Sequence, residues 1–191
     1  MGCDPWPCAS GSLCNYDQQM TSVVITLIGD DQAGLVDAVA SVVAKHHGNW
    51  DRSHLAELAG KFAGIVLVEV PEEFAEAMLV DLQAIDEQGL LAIVAERAVA
   101  SGFDDTATHV ALVLTGQDHA GIVHEVSRVL AQLNVSIDQL ETAIEPAPQG
   151  GNLFVANAVL ELPAGLATDQ LSDALESVAH DLMVDLDIVL D

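Results

Sequence analysis

The chain repeats itself, and that repeat constrains its fold more than any other feature. Val24-Ile25-Thr26-Leu27-Ile28-Gly29-Asp30-Asp31-Gln32-Ala33-Gly34-Leu35-Val36 is echoed by Ala111-Leu112-Val113-Leu114-Thr115-Gly116-Gln117-Asp118-His119-Ala120-Gly121-Ile122-Val123. Both copies are an apolar, strand-sized run followed by G-x-D-x-A-G-[LI]-V, and Asp118 follows Asp31 by 87 residues. Self-similarity over such a distance means one supersecondary unit used twice. Two later anchors extend the match. Asn134 follows Asn49 by 85 residues, and Phe154…Glu161-Leu162-Pro163 follows Phe62…Glu69-Val70-Pro71 by 92. On these anchors the second copy carries seven extra residues, expected in the Pro/Gly-rich stretch Glu145-Pro146-Ala147-Pro148-Gln149-Gly150-Gly151.

Hydrophobic periodicity fills in the unit. In the first copy it predicts a strand over 23–28 and a helix over 34–47 with Leu35, Val39 and Val42 on one stripe. A hairpin over 49–59 and 62–70 turns near Gly60-Lys61, and Pro71 precedes a second helix carrying Phe74, Met78, Leu82 and Ile85. A last strand spans 90–98. Glycine at 48 and 89 supplies helix stops. The second copy reads likewise: strand 109–115, helix 121–133, strands 135–145 and 152–162, helix 168–180, strand 182–190. Each copy is thus β-α-β-β-α-β, a split βαβ arrangement. The expected fold is α+β: two tandem ferredoxin-like units, each an antiparallel sheet with two helices on one face. The domains are expected at 21–100 and 108–191, joined by a linker at 101–107, with the boundary at Ser101-Gly102-Phe103-Asp104-Asp105.

Residues 1–20 have a different composition and no periodic pattern. They are expected to form a disordered leader, with Met20 as the alternative start. Cys3, Cys8 and Cys14, the only cysteines, all lie there at a spacing unlike a zinc knuckle. The domains therefore rely on no disulfide, which suits a reducing compartment. No signal-peptide pattern and no apolar run of about 18 residues occurs, so a cytoplasmic location is the expectation and no membrane partner is indicated.

Charge narrows the partners. The chain has 30 acidic and 5 basic residues, a formal net charge of −25, while 51% of it is hydrophobic. Such apolar content excludes a disordered chain. So few cations argue against direct contact with nucleic acid or anionic lipid, whose binding draws on Lys and Arg.

The βαββαβ order, with D-x-A-G-[LI]-V opening the first helix and an Asn after it, resembles the ACT domain, a regulatory module that binds amino acids. Two such units without an attached enzyme resemble the glycine cleavage system transcriptional repressor family. The likeness runs from Thr21 to Asp191 and is strongest over residues 29–36 and 116–123. Ala33 and Ala120 stand where that family usually has Pro. The resemblance implies an amino-acid ligand (glycine is one candidate), a DNA-binding activator as protein partner, and a homodimer as one mode of assembly. It also implies side-by-side docking of the two units, each Gly loop facing the sheet edge or early second strand of the other copy.

Residue chemistry supports a carboxylate site at each turn. Glycine lets a backbone approach a ligand, and the free N–H groups of a helix start attract an anion. Asp31, Ala33, Gly34, Leu35 and Val36 form one candidate site, and Asp118, His119, Ala120, Gly121, Ile122 and Val123 the other. Asn49 and Asn134 offer a donor and an acceptor to a zwitterion. Asp51 or Asp138 would take the ammonium. A plain structural reading of the same residues stands beside this one: Gly permits a tight turn, Asp31 and Asp118 cap their helices, and the Asn residues serve turns. His46-His47 reads as cationic compensation of a helix C-terminus rather than as a metal pair. No nucleophile motif, phosphate loop or dinucleotide fingerprint is present, so neither a catalytic nor a metal site is expected, and no cofactor. Function then lies between an amino-acid-responsive regulator and a ligand-free interaction or dimerisation module. A dissociated regulatory subunit of an amino-acid metabolic enzyme is a third reading.

Overall fold

The computed structural model of the protein describes residues 19–98, 107–148 and 150–190. The three cysteines and Ser101-Gly102-Phe103-Asp104-Asp105 lie outside the described residues, and the chain divides into two units, 1–102 and 103–191.

In the first unit β1 (Met20–Asp30), α1 (Leu35–Lys45), β2 (Asn49–Leu58), β3 (Lys61–Pro71), α2 (Glu72–Glu87) and β4 (Ala92–Arg97) follow one another. The antiparallel sheet is ordered β2-β3-β1-β4. The second unit repeats this with β5 (Thr108–Gln117), α3 (Ile122–Gln132), β6 (Ser136–Pro146), β7 (Asn152–Leu162), α4 (Thr168–Leu182) and β8 (Val184–Leu190), in the order β6-β7-β5-β8. These are the two ferredoxin-like units that the sequence pattern predicts.

Alternation decides which sheet face is buried. Val23, Ile25 and Leu27 of β1 and Val66, Val68 and Val70 of β3 point to the helices and are almost fully buried. Leu35, Val39 and Val43 of α1 meet them, with Ala75, Met78, Leu82 and Ile85 of α2. In the second unit Val110 and Leu112 of β5 and Leu160 and Leu162 of β7 face Val129, Leu130, Leu171 and Leu175. Fully burying one such aliphatic side chain contributes about 1.5–3 kcal/mol. Gln19 and Met20 take part in the first unit: the Gln19 carbonyl accepts the Glu72 N–H at 2.9 Å, and Met20 pairs with Pro71.

Strand register corrects two details of the repeat. Asn49 lies opposite Glu69 in the first unit, and Ser136 lies opposite Glu161 in the second. The structural counterpart of Asn49 is therefore Ser136. Asn134 instead matches His47: both have positive φ (55° and 58°) just past a helix end. In each case the next residue's N–H reaches back to a helical carbonyl at 2.9 Å, Gly48 to Val43 and Val135 to Leu130. This is the Schellman way of ending a helix. A β-bulge falls at Trp50/Arg52 and again at Ile137/Gln139, so the 87-residue offset holds well into the second strand. The hairpin insertion is consequently five residues, not seven. Ala59-Gly60, both at positive φ, make the tight first turn, whereas a longer connection joins the paired Pro146 and Asn152.

Candidate functional site

Both helices that follow the Gly turn begin in the same unusual way. Gly34 (φ 99°) is the N-cap of α1 and Gly121 (φ 103°) that of α3, and no side chain caps either helix. Asp31 and Asp118 therefore do not cap, as one sequence reading has it. Their backbone N–H groups instead bond to the hairpin: Asp31 to the Gly60 carbonyl at 2.9 Å and Asp118 to that of Asn152 at 3.0 Å. The first helical bonds run from Ala38 to Gly34 and from Glu125 to Gly121. The N–H groups of Leu35, Val36 and Asp37, and of Ile122, Val123 and His124, precede that point and have no acceptor within their helix. A Cβ added at Gly34 or Gly121 would meet nothing within 4 Å. Each turn is thus an open, uncapped helix start whose partial positive charge suits a carboxylate.

The first glycine of the motif has a different task, which sequence alone left unread. A Cβ on Gly29 would lie 2.8 Å from the Leu90 carbonyl oxygen, and one on Gly116 would lie 2.4 Å from Val184 Cγ1. These glycines let the strand and the chain leaving the second helix pass at close range.

The two units differ around their turns. In the second, His119 Nε2 lies 3.0 Å from the Leu182 carbonyl oxygen and Nδ1 lies 3.2 Å from that of Ala120. Two carbonyl acceptors require two ring donors, which only the imidazolium supplies. Its pKa is accordingly raised above the ordinary 6.5, chiefly by the Leu182 carbonyl, then by Ala120. His119 thus ties the turn to the C-terminal end of α4. An apolar groove also opens between α3 and β6, lined by Ile122, Val126, Leu130, Ile137, Leu140 and Phe154. In the first unit Trp50 stands at the position of Ile137 and packs on the core with Leu55.

The remaining candidates lie elsewhere within each unit. Asn49 begins the strand after α1, and Asn134 follows the C-terminus of α3. Eleven helical residues separate either one from its own unit's Gly turn, about 16 Å at 1.5 Å per residue. Within one unit neither Asn reaches the turn. Asp51 and Asp138 sit in the two bulges. His46 is 8% exposed, with Nε2 2.6 Å from Asp81 Oδ2, and His47 lies against Phe74 with ring centroids 5.1 Å apart. Lys45 donates to the same Asp81 oxygen at 2.7 Å. These two hydrogen bonds, Lys45 first, hold the Asp81 carboxyl below its ordinary 3.8. The sequence reading missed that link between α1 and α2.

The sequence also gave no sign of a side-chain group at the far end of the second sheet. His109, Asp138 and Glu161 lie with one ligand-type atom of each within 4.8 Å of the others. Among the described residues, no helix is long and apolar enough to cross a membrane.

Comparison with known proteins agrees with this architecture. Residues 21–95 match the family model of the ACT domain. A UPF0237 protein of Methanopyrus kandleri is 38% identical over 53 residues, which is 28% of this chain and 59% of that protein's length. A crystal structure of an unknown protein from Galdieria sulphuraria superposes with a TM-score of 0.78 at 29% identity, covering 91% of this chain and 99% of that one. A candidate glycine cleavage system transcriptional repressor shares the fold with a TM-score of 0.64 at 17% identity, over 90% and 99% of the two chains. The first unit is thus matched as an ACT domain, and the second repeats its strand order, its bulge and its Gly-capped turn, so the chain consists of two tandem ferredoxin-like units of one design.

Proposed function

We propose that this chain is an amino-acid-responsive regulatory protein that acts through a protein partner rather than by touching DNA. One observation carries the ligand half: the same uncapped, Gly-opened helix start occurs in both units, with open space over the glycine. A free amino acid would place its carboxylate on the first N–H groups of α3, or of α1, where backbone donors and helix dipole act together. The groove beside Ile122 offers room for an apolar side chain, so the second unit is the better candidate and a small aliphatic amino acid fits it better than glycine. The partner half rests on charge: 30 acidic against 5 basic residues suit a protein with a basic face and repel phosphate.

A ligand-free interaction module is the second reading. What favours it is the bare edge of the second sheet, where Leu140 and Ile144 of β6 are 45% and 60% exposed. Unpaired strand edges of this kind invite another chain. A thermal-shift screen of the full chain against the twenty amino acids separates the two. A ligand at 100 times its Kd adds about 2.7 kcal/mol of stability, so the regulator reading expects a clear rise in Tm with at least one amino acid. No rise with any of them leaves only the interaction module.

A further inference from the structure

We propose that His109, Asp138 and Glu161 form a binding site for one divalent transition-metal ion of the zinc class, on the sheet face turned away from α3 and α4. Three features of the backbone build it. His109 of β5 and Glu161 of β7 are directly paired across the sheet. Their neighbours Val110, Leu160 and Leu162 are core residues, so alternation sends His109 and Glu161 to the opposite face. The bulge between Ile137 and Gln139 then inserts Asp138 into β6 beside Glu161 and turns its carboxylate toward the same place. His109 Nε2 lies 3.3 Å from Asp138 Oδ2, and the three ligand atoms are all within 4.8 Å of one another.

The donor set and the charge suit a +2 ion. Two carboxylates and a neutral imidazole neutralise it, in a chain whose net charge is −25. Bond lengths of about 2.0–2.2 Å in a tetrahedral site place ligand atoms about 3.4 Å apart. Modest rotation of surface side chains closes the remaining distance. Three protein ligands leave at least one position for water or an anionic group. An imidazole in the set favours zinc-like ions over magnesium, which prefers oxygen ligands alone.

The first unit shows the same frame put to another use. Ser22 stands where the second has His109, with Asp51 in the bulge and Glu69 on β3. There the Ser22 hydroxyl donates to Glu69 Oε1 at 2.6 Å, a closed hydrogen bond with no nitrogen ligand. One site per chain is therefore expected.

Calorimetric titration of the full chain with Zn2+ tests this, after alkylating Cys3, Cys8 and Cys14 so that the thiols do not compete. The variants are His109→Ser, which copies the first unit, and Glu161→Gln, each checked by circular dichroism for the parent fold. The expected result is one ion per chain in the parent, affinity at least tenfold lower in both variants, and a Zn2+-induced rise in Tm that both lose. Equimolar Mg2+ should not displace the zinc. The proposal is overturned if the parent takes up no Zn2+, if both folded variants bind as the parent does, or if Mg2+ competes equally. In the first two cases His109 and Asp138 form no more than a surface ion pair. Amino-acid binding at the Gly turns is not needed for any of these outcomes.

Discussion

Two glycines in one eight-residue motif are required for unrelated physical reasons, and substitution separates them. Gly116 lacks space: an added Cβ falls 2.4 Å from Val184 Cγ1 and 2.8 Å from Val184 Cα. Gly121 has space but a φ of 103°, where an L side chain is strained. Gly116→Ala should cost about 1–3 kcal/mol through overpacking, and Gly121→Ala about 1–2 kcal/mol through backbone strain. Urea unfolding of the Asn variants distinguishes the causes. Asn tolerates the left-handed region, so Gly121→Asn should be milder than Gly121→Ala, while Gly116→Asn should be worse than Gly116→Ala. The reverse order at either site would refute that assignment. His119 gives a pH test at the same scale. Its raised pKa means that the stabilisation from holding both carbonyls is fully present below pH 6.5 and is lost as pH rises through the higher folded value, where the neutral ring keeps a single N–H. NMR titration of the ring should give a midpoint above 6.5. A midpoint at or below 6.5 would show that the two carbonyl contacts do not form in solution.

Between elements, the two units solve one packing problem in two ways. Where α1 ends beside α2, the first unit uses Lys45 and His46 on Asp81; the second has Leu133 after α3 and Ala174 on α4, both packed on its core. The Asp81 carboxyl is held below 3.8, so its contribution is present above that pH and lost as pH falls through the lower folded value. Asp81→Asn should lower stability at pH 7 and make the remaining stability less sensitive to acid between pH 5 and 3. An unchanged acid-unfolding profile would remove Asp81 from that role. The elements themselves were legible in the sequence, because alternation in β1 and β5 and the stripes of α2 and α4 are strong local signals. Pairing was less so. Asn49 and Asn134 share an identity but not a position, and taking them as equivalent put two spurious residues into the hairpin insertion. Gly34 and Gly121 could be singled out because glycine before an apolar stripe marks a turn. Their role as the caps themselves depends on φ, which residue identity does not supply. His109, Asp138 and Glu161 are far apart in sequence, and only the order β6-β7-β5, its register and a bulge bring them together.

For the molecule as a whole, charge and repetition set the functional limits. Lys45, Lys61, Arg97 and Arg128 are each ion-paired with a carboxylate of their own unit, which leaves little positive surface to meet phosphate. On the proposed reading, the Gly-capped helix start of each unit is instead an opening for a small carboxylate, with the apolar groove and His119 beside the second. The most direct test of this account is calorimetric titration of amino acids into the full chain and into a Gly34→Val, Gly121→Val double variant that retains the parent's circular dichroism spectrum. The account predicts saturable binding of at least one amino acid to the parent and at least tenfold weaker binding to the variant, since the new side chains project over the N–H groups that would hold the carboxylate. Unchanged affinity in the folded double variant, or no binding to the parent by any amino acid, would contradict it.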